Sequence, residues 1–133
     1  MLYVEVVIAL ALAEFTLFGL AVARARERYH VPAPATTGNE VFERYFRVQM
    51  NTLEQLVVFV PSILLFAHYV NGYLAAALGV LFIIGRALYF RGYVRSPEGR
   101  HLGFTLSGIP NLILLLGGLI GAIRALIVVG VRG

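Results

Sequence analysis

Residues 102 to 123, Leu-Gly-Phe-Thr-Leu-Ser-Gly-Ile-Pro-Asn-Leu-Ile-Leu-Leu-Leu-Gly-Gly-Leu-Ile-Gly-Ala-Ile, run for 22 positions without a charge. A stretch of that length crosses a hydrocarbon core of about 30 Å as a helix, which satisfies its own backbone polar groups where no water is available. Residues 6 to 23 are apolar apart from Glu14 and Thr16 and can do the same. Two more spans are interrupted but still apolar, one over about 48 to 70 with Glu54 and Pro61, the other over about 73 to 90 around Arg86. A chain of 133 residues that is 59% hydrophobic and 14% charged, with mean hydropathy +0.83, has room for one membrane domain and no second one. The expected fold is therefore all-α and integral to the membrane, a single four-transmembrane-helix domain over 1–133. Its helices are expected at about 2–28, 40–70, 73–96 and 101–130. The connections near Asn71-Gly72 and Ser96-Pro97-Glu98-Gly99 are short, so the helices run up and down as antiparallel neighbours. Only residues 32 to 40, Pro-Ala-Pro-Ala-Thr-Thr-Gly-Asn-Glu, form a linker of any length, closed by a turn before the second helix.

Four helices bury few side chains against one another, so several faces must meet lipid or another subunit, and an oligomer is expected. Gly117, Gly118 and Gly121 offer a small-residue face for close helix approach. The first apolar run follows Met-Leu-Tyr-Val-Glu, has no basic leader and ends in Arg24, which reads as a retained helix and not a cleaved signal.

Eleven arginines and no lysine give the chain a net charge of +4. Arg24, Arg26 and Arg28 follow the first helix, and Arg91, Arg95 and Arg100 follow the third. By the positive-inside rule both of these loops lie in the cytoplasm, with the termini and the uncharged middle loop on the opposite side; Arg132 argues mildly against that. Arginine suits forked recognition of carboxylate or phosphate, although anchoring to anionic lipid headgroups would use the same residues. The absence of cysteine excludes disulfides and thiolate metal sites, and His30, His68 and His101 lack ligand spacing, so no metal is expected.

The second span enters the bilayer carrying Arg47, Asn51 and Glu54. Their i, i+4, i+7 spacing stacks them on one helical face, while Gln49 points about 200° away from Arg47. Arg86, Tyr89 and Tyr93 share a face of the third helix in the same way. Polar groups of this kind are costly to bury alone. Two such faces near one membrane surface can enclose a polar solute. They can also pair off internally, Arg47 with Glu54 and Arg86 with Glu14.

Phe42-Glu-Arg-Tyr-Phe-Arg47-Val-Gln49-Met-Asn51-Thr-Leu-Glu54, followed by Tyr89-Phe-Arg-Gly-Tyr93-Val-Arg95-Ser, resembles the membrane-associated proteins in eicosanoid and glutathione metabolism. The resemblance covers nearly the whole chain and includes the Thr36-Thr37-Gly38 turn. It points to the branch holding the microsomal glutathione transferases, the leukotriene-forming glutathione transferase and the lipoxygenase-activating protein. It implies a homotrimer of four-helix subunits with glutathione as co-substrate, bound between subunits near the cytoplasmic surface. Arg47, Asn51, Glu54, Tyr89 and Tyr93 match residues that hold glutathione. Arg26 and Gln49 match residues supplied by the neighbouring subunit. Arg100 matches the arginine that activates the thiol, a role Arg95 could also fill while contributing to binding.

The chemistry is consistent with that implication. Glutathione brings two carboxylates for arginines, an ammonium for a carboxylate such as Glu54, and a thiol that is nucleophilic only as thiolate. Lowering a thiol pKa from about 8.5 by two units takes roughly 2.7 kcal/mol, within reach of one guanidinium in a partly dry site. The partner substrate is then a lipophilic electrophile or a lipid hydroperoxide arriving from membrane lipid, and no nucleic acid is expected. Two positions depart from the leukotriene-forming enzyme: Gln55 replaces a tyrosine that helps hold the peptide, and Glu27 replaces a second arginine. Arg47 has no counterpart in the lipoxygenase-activating protein, which weighs against a lipid-binding scaffold without catalysis. A proton-coupled exporter using Glu14 would leave the motif around residues 42 to 55 unexplained. Pro61 is expected to kink the second helix, and Pro110 to bend the fourth or free a carbonyl for Asn111.

Overall fold

A computed structural model describes residues 1–133, and it contains four long helices and no strand. Helix α1 spans Leu2–Arg28, α2 Glu40–Tyr69, α3 Gly72–Arg95 and α4 His101–Arg132, with one 3₁₀ turn over Pro97–Arg100. All four are long and apolar enough to cross a membrane.

The ends of the helices are fixed by local chemistry. Helix α1 stops where His30 turns left-handed at φ 56° and the Val31 amide donates back to the Arg26 carbonyl. Asn39 caps α2 by accepting from the Phe42 amide at 2.9 Å, and Asn71 caps α3 by accepting from the Leu74 amide at the same distance. Only Val70 and Asn71 separate α2 from α3, which makes the two antiparallel. Pro97 opens the 3₁₀ turn, where a missing amide hydrogen costs nothing.

Packing is uneven. Helices α2, α3 and α4 form a tight three-helix unit, and α1 lies against α2 and α3 with no comparable contact to α4. The main core joins Val4, Val7 and Ala11 of α1 to Phe59 and Ile63 of α2, Phe82 of α3 and Leu114 of α4. Phe59 and Phe82 stack with centroids 4.0 Å apart. Helices α3 and α4 approach most closely where Gly85 faces the Ser107 backbone and Gly103 faces the Tyr89 backbone, contacts that leave no space for a Cβ. The glycine face at Gly117, Gly118 and Gly121 is used within the chain, against Leu65, Phe66 and Tyr69 of α2.

Both prolines sit inside continuous helices. Asn111 does not use a carbonyl freed on its own helix. It crosses to α2 and donates to the Gln55 backbone oxygen at 3.2 Å and the Gln55 side-chain oxygen at 2.9 Å. A large share of the leucine, isoleucine and valine side chains points outward, above all on α4 beyond Gly118, as expected of faces that meet lipid or other subunits.

Candidate functional site

The 29–39 linker and the 96–100 turn lie at the same end of the bundle, where Arg44 Nε donates to the Val94 carbonyl at 3.1 Å and ties the start of α2 to the end of α3. Polar side chains gather just inside that end. On α2, Arg47 and Glu54 reach toward each other across two turns, with Nη1 and Oε1 3.6 Å apart. Both are more than half exposed, so the pair contributes little and opens easily for a ligand.

Arg86 on α3 forms the floor. It is fully buried, and its guanidinium is held by neutral acceptors from two other helices. Nε and Nη2 donate to Thr52 Oγ1 at 3.2 and 2.8 Å, Nη2 also to Asn51 Oδ1 at 2.8 Å, and Nη1 to Ser107 Oγ at 3.3 Å. The Ser107 hydroxyl in turn donates a hydrogen bond to the Gly103 carbonyl at 2.8 Å. The Tyr89 ring covers the guanidinium at 4.2 Å, and Tyr93 stacks on Tyr89 with centroids 5.6 Å apart. The expected pairing of Arg86 with Glu14 is not made. Arg86 is taken up by α2 and α4, while Glu14 on α1 keeps a buried Oε1 with no hydrogen-bond partner.

Above this floor lies a cavity of about 390 Å³ lined by Arg47, Asn51, Tyr89, Tyr93, Arg100, His101 and Phe104. Arg100 enters from the 3₁₀ turn at the start of α4 and forms no ion pair or hydrogen bond within the chain. Two guanidiniums, two phenols and a carboxamide held in place by Arg86 suit a small anionic solute.

The other residues singled out from the sequence lie elsewhere. Glu54 shares the α2 face but stands outside the cavity wall, as does exposed Arg95. Gln49 faces α1, with its side-chain nitrogen against Gly19. Arg26 secures the linker, donating to the Ala35 carbonyl at 2.6 Å and the Val31 carbonyl at 3.3 Å while lying 4.8 Å over the Phe42 ring. No three histidine or acidic side chains come together as a metal site would need. Thr52, Ser107, His101 and Phe104 were not anticipated. The signal for one of them was present, because Phe104 follows Arg100 by about one helical turn and so comes round to the same side at the start of α4.

Residues 4–120 match the model of the MAPEG family. The chain belongs to that family. Among its relatives, an uncharacterized protein of Synechocystis sp. is 45% identical over 90% of this chain and 88% of its own length. Human microsomal glutathione S-transferase 2 is 44% identical over 77% of this chain and 70% of its own. Rat leukotriene C4 synthase is 36% identical over 62% of this chain and 55% of its own. MAPEG membership and four apolar helices together make this a multi-pass integral membrane protein.

Proposed function

We propose that this MAPEG protein is a membrane-bound glutathione transferase that ionises glutathione at Arg100 and directs the thiolate onto lipophilic electrophiles entering from the bilayer. The observation that carries the reading is the meeting of Arg47, Asn51, Tyr89, Tyr93 and Arg100 in one cavity, in a chain whose relatives include microsomal glutathione S-transferase 2.

Glutathione carboxylates take Arg47 and a second arginine. The ammonium takes Glu54, which exchanges its weak contact with Arg47 for the ligand. Asn51 is held by Arg86 through its oxygen, so its amide nitrogen is left to donate to a peptide carbonyl. Arg100, which has no partner in the chain, stands beside the sulfur and favours thiolate over thiol. The thiolate attacks the electrophilic carbon, a C–S bond forms, and a halide departs with the bonding pair or an epoxide opens to an alkoxide that takes a proton from water. With a lipid hydroperoxide the thiolate attacks the distal oxygen, the O–O bond breaks to release an alkoxide that takes a proton from water to become the alcohol, and the resulting glutathione sulfenic acid condenses with a second glutathione to give disulfide and water.

The working unit is a homotrimer, in which Arg26 and Gln49 exchange their contacts with the linker and with Gly19 of their own chain for glutathione in the cavity of a neighbour. The 29–39 linker and the 96–100 turn lie in the cytoplasm, where the flanking arginines favour them.

The test is a titration of purified, detergent-solubilised protein with glutathione, followed by ultraviolet difference spectroscopy of the thiolate band in wild type, Arg100→Ala and Arg95→Ala. A saturable band present in wild type, retained in Arg95→Ala and lost in Arg100→Ala is expected. Absence of both band and binding in wild-type oligomer overturns the reading.

A further inference from the structure

A second depression of about 420 Å³ runs along the outside of α2 and α4, with Val58, Ile109, Leu112 and Leu115 on its apolar walls. It meets the cavity above at Phe104, which lines both. Exposed Thr105 lies on the rim of this groove, and one polar pair interrupts it more deeply, Gln55 of α2 and Asn111 of α4. Asn111 is only 4% exposed, and its amide nitrogen is spent on two oxygens of Gln55. Its Oδ1 is buried with no hydrogen-bond partner, and the Gln55 amide nitrogen donates to nothing in the chain. Asn111 lies eleven residues into the bilayer from Arg100, about 16 Å along the helix at 1.5 Å per residue, near the middle of a hydrocarbon core of about 30 Å. A lone acceptor at that depth is unfavourable, since no water reaches it.

A hydroxyl group can serve both, donating to Asn111 Oδ1 once that side chain turns to face the groove and accepting from the Gln55 amide. A carbonyl or ether could only accept and would leave Asn111 unsatisfied. Building on the transferase reading, we infer that the Gln55–Asn111 pair is a subsite for a mid-chain hydroxyl on the acyl chain of the lipophilic substrate, remote from the atom that the thiolate attacks. The groove then sorts oxygenated acyl chains from plain ones, with the reactive end near Arg100 and the hydroxyl deep in the membrane.

The test is equilibrium competition against a fluorescent polyene fatty acid bound to wild-type protein in detergent. The competitors are methyl ricinoleate and methyl oleate, which differ by one mid-chain hydroxyl. Wild type should bind the hydroxylated ester about five- to tenfold more tightly, the range expected when one buried hydrogen bond is completed. Asn111→Leu and, separately, Gln55→Met should each remove that ratio. Equal competition by the two esters in wild type overturns the subsite whether or not the variants fold, and so does a ratio that survives Asn111→Leu. The glutathione thiolate band is recorded in the same wild-type preparation. A binding preference without the band supports the subsite and rejects the transferase reading, whereas a band without the preference does the reverse.

Discussion

Arg100 and Arg86 are both arginines near one cavity, yet they serve different ends. Arg100 is unpartnered and exposed, so its removal should spare the fold and act on the thiol. On the proposed reading, the thiol without it returns toward its ordinary pKa of about 8.5, and thiolate is scarce below that value. Arg100→Ala should therefore lower kcat/KM toward an aryl halide by about 50-fold near pH 6.5, with the deficit shrinking as pH rises toward and past the free-thiol value. A pH–rate profile checks this, and a deficit independent of pH would assign Arg100 to binding alone. Arg86 is fully buried and gathers Thr52, Asn51 and Ser107. Arg86→Met should cost about 3 kcal/mol or more by stranding those groups, lower the unfolding temperature in detergent, and weaken glutathione binding through Asn51. The face shared by Arg47, Asn51 and Glu54 was legible in the sequence because spacing alone sets it. The acceptors of Arg86 were not, since Thr52 and Ser107 look like ordinary tolerated hydroxyls in a membrane helix until tertiary packing sets them against a guanidinium. The Glu14 pairing failed for the same reason, because charge pattern says nothing of which helix a buried arginine leans toward.

Helices α3 and α4 are held together by the absence of side chains. Gly103 has the Tyr89 backbone where a Cβ would stand, whereas Gly130 has open space. Gly103→Ala should force the two helices apart, at a cost of about 1–3 kcal/mol, and should enlarge the floor beneath the cavity. Gly130→Ala should be neutral or gain up to about 1 kcal/mol from helix propensity. Thermal unfolding of the two variants in the same detergent makes the comparison, and equal losses would show that the close approach is not a constraint. The four helices were readable from length, hydropathy and the two asparagine-marked turns. The looser seat of α1 was not, and the small-residue face at Gly117, Gly118 and Gly121, expected to allow close helix approach, does so within the chain, α4 against its own α2.

At the scale of the whole molecule, the proposed trimer predicts complementation. Arg47→Ala and Arg26→Ala chains should each fail to bind glutathione alone, and co-expression should restore part of the binding, because some interfaces then bring an intact Arg26 to an intact Arg47. Restoration is read by titrating the purified mixed oligomer, and its absence would place both residues in one subunit's site. Topology is equally accessible, since a chain without cysteine is a ready background for single labels. Thr37→Cys and Asn71→Cys should react with an impermeant maleimide from opposite sides of a sealed vesicle, with Thr37 on the cytoplasmic face. The unequal packing of α1 has a separate outcome. Arg86 knots α2, α3 and α4 together, and α1 stands outside that knot, joined to it by the 29–39 linker and by apolar contact. Two gene fragments divided within that linker should therefore yield a first helix that docks onto an already assembled three-helix piece, a molecule that could be labelled, exchanged or reconstituted in halves.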